Sequence, residues 1–441
     1  MHILLVNPWI HDFAAYDFWA RPLGLLSLGG WLEAHGLRVS YVDCLDRFHP
    51  NAPPVDPLKR HGRGPYRKTP IPKPSGLAEV PRNFSRYGIL PEWFESDLMR
   101  LDAPDLILVT SMMTYWYTGV KETITMLRGV FGDTPIVLGG IYASLCREHA
   151  HHQMPVDDII SGPGEPVLPD LLHRHTGLRL NPKFSAYDPD SWPFPAFHLQ
   201  RTINFIPLLT TRGCPYACTY CASSFLNEKW WRRKPEGVVE EILYWHAEHR
   251  VRDFVLYDDA LLTDARHHIV PILEAVIRRG ITVRFHTPNA VHLREITPRV
   301  AQLMFDAGFK TLRLGLETTA FETRNRMDRK VTEGEFTAAV QYLMHAGFRT
   351  DQVGAYLLAG LPGQTPEAVE ASIAMVKTTG ITPVIAHYTP IPHTAMWPEA
   401  VAASPYDLEN EPLFTNNALF PCRREGFSWD TLARFKQLIA G

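Results

Sequence analysis

Thr210-Thr-Arg-Gly-Cys214-Pro-Tyr-Ala-Cys218-Thr-Tyr-Cys221 places three of the chain's six cysteines within eight residues, as C-x3-C-x2-C. Three thiolates on one short loop hold three corners of a cubane [4Fe-4S] cluster, and with no fourth cysteine nearby one iron stays open to a ligand. An open iron implies chemistry and not electron storage alone. Zinc is the competing reading of such a triplet, but structural zinc takes four ligands in paired spacing and none completes the set locally. A disulfide reading fails because three cysteines cannot pair among themselves and nothing else indicates an oxidising compartment.

The stretch resembles the radical SAM superfamily at nearly every position, and the cobalamin-associated branch in particular. The resemblance implies that the open iron chelates the amino and carboxylate groups of S-adenosylmethionine, which is reductively cleaved to methionine and a 5'-deoxyadenosyl radical. Tyr220 matches an aromatic residue whose backbone contacts the adenine amine.

Around this loop lie 441 residues, 45% apolar and 21% charged, the balance of a globular enzyme of two or three domains. A net charge of -3 makes no electrostatic case for nucleic acid. The leading run Met-His-Ile-Leu-Leu-Val-Asn-Pro is too short for a signal-peptide core and reads as a first strand. No stretch approaches the ~18 unbroken apolar residues of a membrane span. The expected location is the cytoplasm.

Ahead of the cysteines, the apolar runs at 2–7, 38–43, 105–110, 135–138 and 157–160 alternate with helical periodicity, as over Val120, Ile124, Leu127 and Phe131. They predict a five-stranded, doubly wound, Rossmann-like domain over residues 1–178, in which the second strand ends on the acidic pair Asp43 and Asp46. A Pro-rich insertion at about 47–85 breaks the pattern and is expected to be extended, ordered only by what it touches. Pro22-Leu-Gly-Leu-Leu-Ser-Leu-Gly-Gly-Trp, Val137-Leu-Gly-Gly-Ile-Tyr-Ala and Gly162-Pro-Gly-Glu165 fall where the recurrent segments of the cobalamin-binding domain of that branch fall. The resemblance therefore implies a B12-binding-type domain, with Ser111, Met112, Thr114, Tyr115, Gly139, Gly140, Gly164 and Glu165 as candidate cobalamin contacts. No D-x-H-x-x-G occurs, so a bound cobalamin would lack the histidine that this motif delivers to cobalt. Methionines and aromatics at a strand end are equally at home in an ordinary core.

A linker at 179–199 leads to strands near 204–210, 253–258, 282–286, 311–315, 352–359 and 382–388, each alternating with a helical pattern. Thr297-Pro298, Thr365-Pro366 and the Thr332 to Glu335 capping box mark helix starts. Six repeats make a partial (β/α)6 barrel over 200–395, followed by a C-terminal cover segment at 396–441. Working residues of parallel barrels sit at strand carboxyl ends, which selects Asp258, Asp259, Asn289, Glu317, Gly360 and Gly363 beside the metal ligands Cys214, Cys218 and Cys221. By resemblance, the aspartate pair stands where the methionine amino group is held, Glu317 where ribose is contacted, and the Gly360 segment where adenine passes. Gln364 occupies a position where relatives often carry glutamate. Paired aspartates are also common helix caps, and Gly-Leu-Pro-Gly is also an ordinary turn. No catalytic residue is assigned.

The expected function is reductive cleavage of S-adenosylmethionine with cobalamin-dependent methylation of an unactivated carbon or phosphorus centre. The expected substrate is a small, natural-product-like molecule, and the electron donor is of flavodoxin or ferredoxin type. The alternatives are radical cyclisation, rearrangement or oxidation without methyl transfer, and a non-enzymatic iron-sulfur carrier. Transfer-RNA methylthiolation would want a further cysteine triplet in the N-terminal domain, where only Cys44 and Cys146 occur.

Overall fold

His2–Asn7 is buried along its whole length and forms the central strand β1 of a parallel sheet, as a run apolar on both faces should. In the computed structural model, which describes residues 1–322, 327, 328, 331–423 and 427–440, β1 pairs with β2 (Arg38–Asp43) on one side and β3 (Leu106–Val109) on the other. β4 (Ile136–Leu138) and β5 (Asp158–Ile159) complete the five strands in the order β5-β4-β3-β1-β2. The order reverses between β1 and β3, as doubly wound folds require. Helices Leu23–Ala34 and Leu168–Thr176 bury Leu25, Trp31, Leu168 and Leu172 against Ile3, Leu5 and Leu108, and helix Tyr117–Phe131 buries the expected stripe of Val120, Ile124 and Leu127.

The insertion carries more structure of its own than an extended segment. Lys68–Pro70 pairs antiparallel with Ser85–Tyr87, which pairs with Ile10–Asp12, while Gly64–Pro65 pairs with Tyr16–Asp17. Strands of two or three residues are too short for alternation to show in sequence, yet Leu77, Val80 and Phe84 of the insertion are buried.

The second sheet contains β6 (Ile206–Leu208), β7 (Asp253–Leu256), β8 (Arg284–His286), β9 (Phe309–Glu317), β10 (Val353–Ala359) and β11 (Thr382–His387), parallel and in strictly sequential order. Helices Pro235–His249, Ile269–Arg279, Pro298–Asp306, Glu333–His345 and Pro366–Thr378 connect them. The predicted starts are real caps: Thr297 accepts from Val300 N at 3.2 Å, Thr365 from Ala368 N at 3.4 Å, and Thr332 and Glu335 form the reciprocal box. β6 and β11 are not paired, so the barrel is partial. No helix among the described residues is long and apolar enough to cross a membrane.

The chain divides into two compact units, Met1–Asn204 with Glu409–Ala418, and Phe205–Leu408 with Leu419–Gly441. Within the first unit the returning segment is held by hydrogen bonds from Asn416 Nδ2 to Asp12 Oδ1 (2.9 Å), between the Thr415 and Thr114 hydroxyls (2.9 Å), and from Tyr117 Oη to Glu411 Oε2 (3.3 Å). The tail is thus shared by both units.

Candidate functional site

The cysteine loop leaves the carboxyl end of β6 through Thr211–Arg212, which pairs antiparallel with Trp231–Arg232 to clasp the loop at its base. Gly213 has φ +76°, and a Cβ there would stand 2.8 Å from the Lys229 carbonyl oxygen. Only glycine fits this turn. Cys214 is half-buried, Cys218 buried and Cys221 exposed. Thr219 anchors the middle of the loop on both sides, its N–H donating to Met327 O at 2.9 Å and its carbonyl accepting from Met396 N at 2.8 Å. Ser223 N points at Cys221 Sγ at 3.4 Å, an arrangement that favours thiolate. Among the described residues the three sulfurs are not gathered within 4.8 Å of one another, as one zinc ion with Zn–S of about 2.3 Å would require. A cubane, which seats each thiolate on its own iron, spreads them wider. This donor set fits a cluster better than a single ion.

Asp258 lies two residues past β7 and is fully buried. Its Oδ1 accepts from Thr210 N (3.1 Å), Thr210 Oγ1 (2.6 Å), Thr211 N (2.5 Å) and Thr211 Oγ1 (2.8 Å), while Oδ2 is buried with no hydrogen-bond partner among the described residues. The buried His268, its basicity lowered to a pKa of about 4 by desolvation, meets Thr210 Oγ1 from the far side at 2.9 Å. Thr210 is thus held by both Asp258 and His268, and Thr211 by Asp258. Sequence reading reserved Asp258 for ligand and did not connect it with Thr210, Thr211 and His268. The adjacent Asp259 is exposed and accepts at 2.6 Å from Oγ of Ser223, two residues after Cys221.

Burial pushes the Asp258 carboxyl up to about 6 in spite of those four donors. An unfolded aspartate ionises near ~3.9, so between there and about pH 6 the folded chain keeps a proton that the unfolded chain has lost. Its contribution to stability therefore falls as pH rises through that window. Asp258→Asn removes the titration and keeps an acceptor for the four donors. It is expected to gain on the wild type by up to about 3 kcal/mol between about pH 4 and about pH 7, read from urea midpoints. A difference that does not change with pH would count against it.

Tyr220 Oη donates to Asp328 Oδ2 at 3.1 Å. Burial first, then the nearby Glu317 and Asp328 charges, hold its phenol above the usual range, so it remains a neutral donor. Glu317 is itself buried and has φ +62°, next to a register shift in the β9–β10 pairing. A bulge with a left-handed non-glycine residue re-aims a side chain at a strand end, and such strain gathers at functional sites. Asn289 is exposed, with Nδ2 on the Tyr257 carbonyl at 2.7 Å. Gly360 (φ +93°) and Gly363 (φ +73°) turn the chain after β10. Gln364 closes that turn, its Oε1 accepting from Gly360 N at 2.8 Å and Leu361 N at 3.2 Å while Nε2 donates to Leu358 O at 2.9 Å. An amide does both, whereas a glutamate could only accept.

In the first unit, Ser111 works as a clip. Its Oγ donates to Gly139 O (2.7 Å) and accepts from Ala143 N (3.3 Å), and its carbonyl accepts from Ile141 N (2.8 Å). Gly140 packs so tightly on this clip that a Cβ would lie 2.2 Å from Ser111 O, and its φ is +96°. A Cβ on Gly139 would meet nothing within 4 Å. Thr114 and Tyr115 are buried, Met112 and Glu165 are half-buried, and a Cβ on Gly164 would reach Leu28 at 3.0 Å. Of the eight candidates, Ser111, Thr114 and Tyr115 are buried, while a Cβ on Gly139 would enter open space at the carboxyl end of β4, where doubly wound folds bind ligands. A glycine turn that a Cβ would leave unobstructed, at a strand carboxyl end, fits the edge of a large flat ligand.

Comparison with known proteins gives a match to the Radical SAM superfamily over residues 208–376 and to the B12 binding domain over residues 91–172. An uncharacterized methyltransferase of Pyrococcus horikoshii is 25% identical over 357 residues, 74% of this chain and 74% of its own length. The anaerobic magnesium-protoporphyrin IX monomethyl ester cyclase of Cereibacter sphaeroides is 26% identical over 336 residues, 67% of this chain and 53% of its own. The radical S-adenosylmethionine methyltransferase TsrM from Kitasatospora setae, solved with cobalamin and a [4Fe-4S] cluster bound, shares the fold with a TM-score of 0.69 over 99% of this chain and 91% of that one, at 16% identity. A radical SAM domain implies a [4Fe-4S] cluster and S-adenosylmethionine, and a B12-binding domain implies cobalamin. With the two matches following one another along one chain, and the cysteine triplet at the head of the second, the chain carries a radical SAM domain preceded by a B12-binding domain.

Proposed function

We propose that this protein is a cobalamin-dependent radical SAM methyltransferase, working on an unactivated carbon or phosphorus centre of a small molecule. The observation that carries the reading is a three-thiolate loop, pinned through Thr210 and Thr211, on a chain that also carries a B12-binding unit with an unobstructed glycine turn. When bound, the cluster supplies the electron that cleaves S-adenosylmethionine, and cobalamin supplies a transferable methyl group. Cys214, Cys218 and Cys221 hold three irons and leave the fourth open. Tyr220, Asp259, Asn289, Glu317, Gly360 and Gly363 bind S-adenosylmethionine, with Glu317 turned by its bulge toward ribose, while Asp258 acts through the threonines. Met112, Gly139, Gly140, Gly164 and Glu165 border the corrin, and Ser111, Thr114 and Tyr115 support them. The electron donor is a flavodoxin- or ferredoxin-type protein, and the setting is the cytoplasm. A net charge of -3 supports a partner other than nucleic acid.

The similarity to a cyclase favours one second reading, radical chemistry without methyl transfer. An anaerobic mass balance separates the two: protein reconstituted with iron, sulfide and cobalamin is given dithionite and S-adenosylmethionine, and is scored for S-adenosylhomocysteine, 5'-deoxyadenosine and retained corrin. Methyl transfer requires S-adenosylhomocysteine together with retained corrin. Deoxyadenosine alone from corrin-free protein selects the second reading. In the same samples, cob(II)alamin is expected to show no hyperfine splitting from a protein nitrogen in electron paramagnetic resonance, because the chain has no D-x-H-x-x-G; a nitrogen pattern that changes on uniform 15N labelling of the protein would contradict this.

A further inference from the structure

The first unit contains a cavity of about 510 Å³ between the Pro-rich insertion and the helix Tyr117–Phe131. None of the candidate cobalamin residues lines it. Its apolar lining is Ile71, Pro72, Pro74, Phe84 and Met126. The prolines fix their own backbone angles, Ile71 N donates to Phe84 O at 3.0 Å, and the buried Phe84 ring meets Phe13 and His11 edge-on, with centroids 5.2 and 6.4 Å away. On the facing side Thr118, Lys121, Glu122 and Thr125 join Met126 along one stripe of the helix. The cavity is therefore shaped before any guest arrives.

The charges of this lining do not cancel. Glu122 is already satisfied, because Arg86 donates to both of its oxygens through Nε and Nη2, while His11 bridges Thr118 Oγ1 (3.1 Å from Nδ1) and Glu122 Oε2 (2.8 Å from Nε2). Burial alone would raise the Glu122 carboxyl, but its bonds to His11 and Arg86 outweigh this and hold it below the usual range. Arg86 keeps Nη1 without a hydrogen bond among the described residues. The exposed Lys121 has only the neutral Gln153 Oε1 on its ammonium among those residues, at 3.1 Å. Arg86 and Lys121 thus share the one carboxylate of the lining, Glu122. One positive charge is left over with His11 neutral, and two with it protonated.

A cation would be repelled here, and a plain inorganic anion would leave the apolar lining in water. We propose that this cavity binds a small aromatic carboxylate, with its ring against Ile71, Pro72, Pro74 and Met126 and its carboxylate toward Arg86 Nη1 and Lys121 Nζ. The volume falls within the ~300–1,000 Å³ of small-molecule sites, which combine an apolar lining with a few polar groups that set orientation. The Met126 thioether favours an aromatic body over an aliphatic one, and the prolines lose no side-chain entropy when a ring packs on them.

The test is calorimetric titration of the full-length, cluster-loaded protein with 3-phenylpropionate, and with 3-phenylpropanol and propionate as its two half-probes. Neither S-adenosylmethionine nor corrin is added, so the outcome is independent of the methyl-transfer reading. The acid is expected to bind, with the alcohol and propionate each at least about tenfold weaker. Lys121→Met, which keeps the apolar stem and removes the charge, should weaken the acid about 3- to 10-fold and leave the alcohol unchanged. Thr125→Glu, at an exposed helix position, sets a carboxylate four residues from Lys121 and should weaken the acid at least about tenfold. If one variant does not fold, as judged by its circular dichroism and melting, the other variant and the half-probes decide. No heat up to about 10 mM 3-phenylpropionate, an alcohol that binds as tightly as the acid, or acid binding that folded variants leave unchanged overturns the proposal.

Discussion

Replacing Cys214, Cys218 and Cys221 together with alanine is expected to take reconstituted protein from about four irons per chain to about none, and to erase its broad visible iron-thiolate absorption. The effect should be total because the loop offers no substitute. Cys44 and Cys422 are buried, with burial raising both thiols, and Cys422 Sγ rests on Ala400 O at 3.6 Å. Cys146 is likewise pushed up to about 12 by burial. Thiols so far from ionising make poor iron ligands, so Cys44, Cys146 and Cys422 changed together to serine should keep the full iron content. Iron surviving the first triple variant, or lost in the second, would move the cluster elsewhere.

The neighbouring glycines 139 and 140 should behave in opposite ways. Gly140→Val would drive a branched side chain into Ser111, whose N and O would lie 2.6 and 2.2 Å from the new Cβ, at a φ of +96° that L side chains rarely adopt. Backbone on both sides cannot yield, so a loss of about 3–5 kcal/mol is expected, enough to unfold the unit or nearly so. Gly139→Val meets no protein atom within 4 Å and should leave the urea midpoint within about 0.5 kcal/mol of the wild type. If corrin edges past Gly139, the same variant should lower corrin retention about tenfold and leave the iron content untouched. A stable Gly139→Val protein with unchanged corrin would remove this turn from the cobalamin contacts.

The sheets were legible because their strands are buried on both faces, so that runs such as Ile3–Val6 and Leu106–Val109 stand out against helical stripes. The cysteine loop was legible because ligand spacing is a local property. What escaped reading is what distant residues do for each other. Asp258 looked like a ligand-facing carboxylate, and only the folded chain places Thr210 and Thr211, some 47 or 48 residues earlier, on its Oδ1. The doubled threonine before Arg-Gly-Cys was the available signal, since two adjacent hydroxyls ahead of a metal loop want a shared acceptor. Likewise, Gln364 for glutamate became intelligible once its amide was seen to donate to Leu358 O.

The returning segment Glu409–Ala418 sets a timetable for synthesis. Asp12, Thr114 and Tyr117 emerge from the ribosome early, but their partners Asn416, Thr415 and Glu411 come roughly two hundred residues after the first unit otherwise ends at Asn204. At ~5–20 residues per second that is a wait of about ten to forty seconds. During it the buried carboxylate of Asp12 has Trp116 Nε1 but not the Asn416 amide. The B12-binding unit is thus the first to begin folding and cannot be finished until every strand of the barrel has been translated, so truncation before residue 418 leaves both units without their own chain.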